Sequence, residues 1–293
     1  MKQATSALKR TLDRLYATRS ATHLANDPLS FCHRYDDPGD REVAAVIASS
    51  FAYGGITVIL RSLESIFARL GRSPRSYVMA FDPQAGMADF SGFRHRFHDG
   101  RDLCALLWAV RCMIENSGSI NDFFLRFHSS AGKDIGSALD GYTRAVLAFD
   151  YRPVFGGPEI PERSYFRFFF PTPMAGSACK RLCMWLRWLV RPADGIDLGL
   201  WKGIRPAQLV IPVDTHIQRI SGYLGLTRRR QADWRMATEI TEALRRLDAE
   251  DPVKYDFALA HLGISEKCNG SDPTLCRSCT IAGICPKNPG IPS

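Results

Sequence analysis

Residues 208–226 read QLVIPVDTHIQRISGYLGL. An apolar entry, Leu209 to Val213, runs straight into Asp214, and beyond it Ile217, Ile220 and Leu224 recur at the three-to-four spacing of one helix face. The segment therefore predicts a helix over 214–224 with Asp214 at its N-cap, where a carboxylate accepts the first free backbone amides. The same position aims a carboxylate from a helix N-terminus into any adjoining cleft. The two roles are compatible.

Working outward, the same helical period covers most of the chain. Residues 3–24 carry Leu8, Leu12, Leu15 and Tyr16 on one stripe, and residues 40–55 carry Val43, Val46, Ile47 and Phe51, with Asp40 as the expected N-cap. Further helices are predicted over 56–70, 102–116, 119–129 and 134–149, then over 176–191, 231–249 and 252–264, with Asp251-Pro252 starting the last. Trp234, Ile240, Ala243, Leu244 and Leu247 mark the buried face of the 231–249 helix. Residues 150–173 are broken by Pro and Gly and read as a long connector. Their Phe-rich part has no alternating neighbour to pair with as a strand. The fold class expected is all-α.

Composition narrows the function classes. The net charge is +8, with 38 Lys and Arg against 30 Asp and Glu, which suits a polyanionic partner and equally suits plain solubility. No apolar run approaches the length of a membrane span, and no signal-like segment follows Met1, so a cytoplasmic protein without a membrane partner is expected. Nine cysteines in so long a chain, without a secretory signal, do not suggest a disulfide scaffold. Five of them (Cys32, Cys104, Cys112, Cys179 and Cys183) lie among apolar neighbours and read as small buried hydrophobes.

The other four, Cys268, Cys276, Cys279 and Cys285, fall within eighteen residues in the pattern C-x7-C-x2-C-x5-C, followed by Pro286. Zinc sites more often use two well-separated pairs, whereas close consecutive cysteines ending in Cys-Pro are typical of a [4Fe–4S] cluster. Gly270, Pro273 and Gly283 supply the turns that wrapping a centre needs. No flavin, haem or nicotinamide motif accompanies the run, so a structural role, tying this loop to its helices, is expected of the cluster. Upstream, PMAGSACKRLCMWLRWLVR (173–191) opens a helix after a Pro/Gly turn, with Lys180 in its first turn. An amine at the positive end of a helix dipole is biased toward its neutral, nucleophilic form, as Schiff-base chemistry requires. Taken alone, Lys180 would read as a solvated surface lysine.

Together these segments resemble the endonuclease III superfamily of helix-hairpin-helix DNA glycosylases and abasic-site lyases, in a divergent bacterial branch. Val213-Asp214-Thr215-His216 matches that family's Val-Asp-Thr-His segment, which carries the catalytic aspartate. Gly176 and Lys180 keep the glycine-to-lysine spacing of its hairpin, and the cysteine run differs from the family's by one residue in its first gap. Ala178 stands where the family has a second glycine, and the stretch between Lys180 and Asp214 is longer than usual.

The resemblance implies a two-lobed helical fold. One lobe would span 36–195, and the other would join 1–35 to 196–293 and carry the iron–sulfur loop. It implies Lys180 as nucleophile, Asp214 as stabiliser of the oxocarbenium-like sugar, and Cys268, Cys276, Cys279 and Cys285 as cluster ligands. Gly176, Arg181, Arg187 and Arg219 would contact nucleic acid, and the substrate would be damaged double-stranded DNA handled by a monomer. Trp185, Trp188 and Trp201 are candidate stacking platforms, although the helical spacing of Trp185 and Trp188 favours the core. Two other classes remain open: a non-catalytic iron–sulfur nucleic-acid-binding module, and an enzyme acting on RNA or another nucleobase substrate.

Overall fold

A computed structural model describes residues 2–18, 21–264 and 266–288. The chain is predominantly helical, as expected. The strands among the described residues are a two-residue pair, Arg94–His95 against His98–Asp99, joined by a tight turn that holds Arg96 at a φ of 55°. That hairpin was not anticipated. Gly100 follows it because a Cβ there would lie 1.9 Å from the Phe90 carbonyl oxygen.

Several helix ends differ from expectation for local reasons. The helix expected to start at Asp40 spans Pro38–Ser50, and its N-cap is Asp37, whose carboxylate accepts from the Asp40 amide at 3.0 Å. Pro38 fixes the first helical φ and so sets the start earlier. Asp40 is instead buried, taking bonds from the Ser73 hydroxyl and the Arg75 amide at the start of helix Pro74–Met79. The first helix is Lys2–Thr18, and the following stretch continues as 3₁₀ turns, Ala21–Asn26 and Pro28–Arg34, the second capped by Asp27. The connector 150–173 holds short turns at Arg152–Phe155 and Phe166–Phe169 and no strand. The last long helix begins at Asp256 and not at Asp251-Pro252.

One contiguous apolar core runs through the molecule. Trp185 and Trp188 belong to it, and Trp201 is also buried, its indole N–H donating to Glu42 at 2.8 Å, so none of the three offers a stacking face. Glu42 is a buried carboxylate on helix Pro38–Ser50 that also accepts from the Ile120 and Asn121 amides, capping helix Ile120–Leu125 across the core. Of the five scattered cysteines, four are buried and Cys112 is half-buried.

Two helix pairs frame the main cleft. Helix Lys180–Val190 packs on Pro38–Ser50, and helix Thr215–Tyr223 packs on Asp256–Ile264. Helix Lys2–Thr18 lies against Asp256–Ile264, whereas Pro28–Arg34 packs on Pro38–Ser50. Among the described residues no helix is long and apolar enough to cross a membrane.

Candidate active site

Between the two helix pairs lies a cleft of about 840 Å³ whose walls include both Lys180 and Asp214. Lys180 is the first residue of its helix, entered through Cys179 in the left-handed conformation (φ 47°). Its ammonium donates to the Ala52 carbonyl oxygen at 3.2 Å, just past the end of the neighbouring helix, and pairs with no carboxylate among the described residues. Asp214 is the N-cap of Thr215–Tyr223 as expected. Its Oδ1 accepts from the His216 and Ile217 amides, both at 2.8 Å, and its Oδ2 has no hydrogen-bond partner among the described residues. One oxygen caps while the other remains available to the cleft.

Two further carboxyls on the cleft wall were missed by sequence reasoning. Asp256 is buried and pairs with the Arg187 guanidinium. Burial pushes its pKa up to about 6, with the nearby Asp214 charge acting in the same direction and Arg187 against it. Asp27 accepts from the Leu29 amide at 2.8 Å, and burial raises its pKa while the charges of Arg187 and Lys180 oppose the rise. In the sequence, Asp27-Pro28 looks like an ordinary helix start and Asp256 falls inside the helix predicted over 252–264, and nothing local reveals that tertiary packing brings both to the cleft that Lys180 lines. The ring of His216 also lines the cleft, and Gly263 allows the facing helix to approach it, since a Cβ at 263 would sit 2.1 Å from His216 Nδ1.

Three of the residues expected to grip nucleic acid are committed elsewhere. Arg187 is buried between Asp197 and Asp256, bonding Asp197 at 3.1 Å, and with Arg191, Asp194 and Asp251 it forms a continuous ionic floor. Arg181 is buried too. Its guanidinium donates to the Ser50 carbonyl at 2.7 Å and to the Phe168 carbonyl, and burial lowers its pKa to about 10. A guanidinium taken out of water must be paired or saturated with acceptors, and the helix KRLCMWLRWLV buries both of these arginines along with its tryptophans. Gly176 does adopt the positive φ (80°) of a hairpin glycine, but its amide donates to the Pro173 carbonyl at 2.8 Å. The neighbouring amides of Met174, Ala175, Ser177 and Cys179 also donate within the turn or to Asp140. This hairpin therefore does not present the row of free amides that holds a phosphate.

Arg219, the fourth, is half-buried and connects two regions. It donates to the Cys268 carbonyl and lies 3.2 Å from His216 Nδ1, so one side chain spans from the cleft wall to the cysteine loop.

That loop encloses a hollow of about 360 Å³ lined by all four of Cys268, Cys276, Cys279 and Cys285. The Asp272-capped turn Pro273–Ser278 carries Cys276, buried Ile281 anchors the following turn, and Tyr223 donates to the Asn269 carbonyl at 2.9 Å. Burial raises the thiol pKa values of Cys268 and Cys279, with the neighbouring cysteines adding to the rise. All four thiols line the same hollow, and thiols are the donor type that sulfur-ligated centres use. Among the described residues no three His, Cys, Asp or Glu side chains stand gathered closely enough to hold a single ion.

No curated protein and no solved structure matches the chain. A family model described as "Protein of unknown function (DUF2400)" matches residues 27–265, which include Asp27, Lys180, Asp214 and Asp256. The chain belongs to that family.

Proposed function

We propose that this protein acts on nucleic acid by glycosylase and abasic-site lyase chemistry, with Lys180 as nucleophile and Asp214 as the stabilising carboxylate. The observation that carries the reading is that Lys180 and Asp214, distant in sequence, line the same cleft, and that among the described residues the lysine pairs with no carboxylate and one Asp214 oxygen is uncommitted.

In the step proposed, Lys180 gives its ammonium proton to solvent, and the lone pair of the neutral Nζ attacks C1′ of the target sugar. The C1′–N bond to the base breaks, and its electron pair leaves with the base. One amine proton goes to the base and the other to O4′ as the ring opens, leaving a lysine–C1′ Schiff base. Asp214, ionised, offsets the positive charge that develops on the sugar. Asp256, which lines the same cleft and has its pKa raised to about 6, would relay the proton that the base takes up.

The cysteine loop is assigned a [4Fe–4S] cluster held by Cys268, Cys276, Cys279 and Cys285, which would supply structural closure of the loop. Arg219 would hold that loop to the cleft wall.

Borohydride should trap a covalent complex between the protein and abasic-site DNA, and Lys180→Ala should abolish it. Trapping that persists in the variant would mean Lys180 is misassigned. Absence of both trapping and base release across a broad lesion panel, on DNA and RNA, would sink the catalytic reading. Anaerobically purified protein should be brown, with about four iron and four sulfide per chain, and bound zinc in their place would overturn the cluster assignment. A second reading, nucleic-acid binding without the reaction, draws on the hairpin amides, which are spent within the turn.

A further inference from the structure

The cleft does not end at Lys180. Its wall residues Tyr53 and Lys180 also line a neighbouring hollow of about 710 Å³, and that hollow shares Ser164 and Tyr165 with a third of about 530 Å³. The three therefore form one track across the surface.

The middle of the track is an aromatic ledge. Tyr165 is 51% exposed and Phe168 45%, an uncommon state for large rings beside a deep cleft. They are nonetheless held in place. Phe168 sits over the Arg181 guanidinium at 4.2 Å, Phe97 lies between Tyr165 and Phe168 at centroid distances of 4.8 and 4.9 Å, and Tyr53 stacks on Phe97 at 5.4 Å. His98 Nε2 meets the Tyr165 carbonyl at 3.0 Å. The buried Arg181 thus has a use: it supports the ledge from beneath.

The far end of the track is basic. Arg94, Arg101 and Arg163 line the third hollow, all exposed, and Arg163 has no carboxylate partner among the described residues. Two acids share that hollow. Asp99 is occupied as a helix N-cap, with Arg94 3.9 Å away, and Asp102 is buried and bonded by the Ser164 hydroxyl at 2.7 Å.

We propose that this track binds a single-stranded segment of nucleic acid adjoining the nucleotide held in the cleft. Bases would stack on Tyr165 and Phe168, and backbone phosphates would meet Arg94, Arg101 and Arg163. The proposal rests on the reading of the cleft as a nucleic-acid site. Rings that stack on any base, flanked by cations that track a backbone, are the two parts of a sequence-tolerant single-strand site. The committed amides of the 173–179 turn favour a single strand here over a duplex gripped by its backbone. An acidic protein segment would match the arginines but would make little use of a ledge that leads to a nucleophilic lysine.

The test is fluorescence anisotropy with the full-length protein and labelled abasic-site oligonucleotides, either blunt duplex or carrying a single-stranded tail beside the lesion. The tailed form should bind at least about tenfold more tightly. Tyr165→Ala and Phe168→Ala should each remove about 5- to 100-fold of that affinity while leaving the blunt duplex unchanged, and Tyr165→Phe should retain it. Arg163→Gln should lower the salt slope for the tail by about 0.7. Unchanged melting temperatures would show that these exposed substitutions leave the fold intact.

Equal binding of blunt and tailed forms, or alanine variants that lose nothing, would overturn the inference. So would displacement of the strand by polyglutamate as readily as by unlabelled strand, which would mark a general acidic-chain surface. Borohydride trapping separates the two proposals. Trapping without tail dependence removes the track and leaves the reaction. Tail dependence without trapping removes the reaction and leaves the track.

Discussion

The floor of the cleft and the cysteine loop are assembled in opposite ways. Beneath the cleft, every charged group has a partner supplied by the chain: Arg187 with Asp197 and Asp256, Arg191 with Asp194, Asp197 and Asp251. In the loop, four thiols line one hollow. A site built from its own ion pairs is ready before any ligand arrives, because breaking one pair strands a charge in low dielectric. A site built from thiols around a hollow depends for its rigidity on what it holds. The difference predicts that damage to one region should leave the other largely standing.

The largest effect should come from the floor. Arg187→Ala leaves Asp256 buried without its ion-pair partner and Asp197 with Arg191 alone, and should cost about 3–5 kcal/mol, read by denaturant melts. By contrast, if the loop holds the cluster proposed for it, Cys276→Ser should reduce bound iron to near zero while lowering the unfolding free energy by less than Arg187→Ala does. A Cys276→Ser protein that fails to fold would end the contrast, since the floor would then depend on the loop.

Next in size is a pH effect. In the folded protein Asp256 holds its proton up to about pH 6, whereas in the unfolded chain it would lose it near its ordinary value of 3.8. The stability this contributes is fully present below about 3.8 and is lost as pH rises through about 6. Asp256→Asn should remove that decline, so the difference between the two melting curves should change sharply between about pH 4 and 6.5. A constant offset across that range would show that Asp256 does not titrate there.

Smaller still, Asp214→Ala should cost about 1 kcal/mol through loss of the cap. Asp214→Asn should keep most of the cap, because a side-chain oxygen still accepts the His216 and Ile217 amides, yet it should lose base release by two or more orders of magnitude if the carboxylate charge acts on the sugar. Equal activity in Asp214→Asn would reduce Asp214 to a cap alone. Of the same size as the cap loss is Tyr255→Phe, which removes the 2.6 Å bond to Asp13 and should cost about 1 kcal/mol.

Helix type, the Asp214 cap and the core placement of Trp185 and Trp188 were legible in the sequence because each is set within a few residues. The start at Pro38 was misplaced because Asp40 was read as the cap although Asp37-Pro38 supplies the local start signal, and the Asp40 carboxylate is spent on Ser73 and Arg75. The roles of Arg181 and Arg187 were not legible, since an arginine on a helix looks the same whether its partner is solvent or an aspartate tens of residues away. Asp27 and Asp256 were missed for the same reason. The aromatic ledge was half visible: the Phe-rich connector stood out, but its exposure results from Arg181 filling the space beneath it.

Helix Lys2–Thr18 is tied to residues far along the chain. Tyr16 donates to Asp194 at 2.6 Å and accepts from Arg191, while Asp13 accepts from Tyr255 and meets Lys254 at 3.3 Å. Such distant closures are entropically late, because the intervening chain must be ordered before they yield anything. Leu12 and Leu15, buried in the folded protein, should therefore lose their exposure only once residues 191–255 are in place. In refolding followed by pulsed hydrogen exchange, the amides of this helix should be among the last to gain protection. A protease added early in refolding should cut there first.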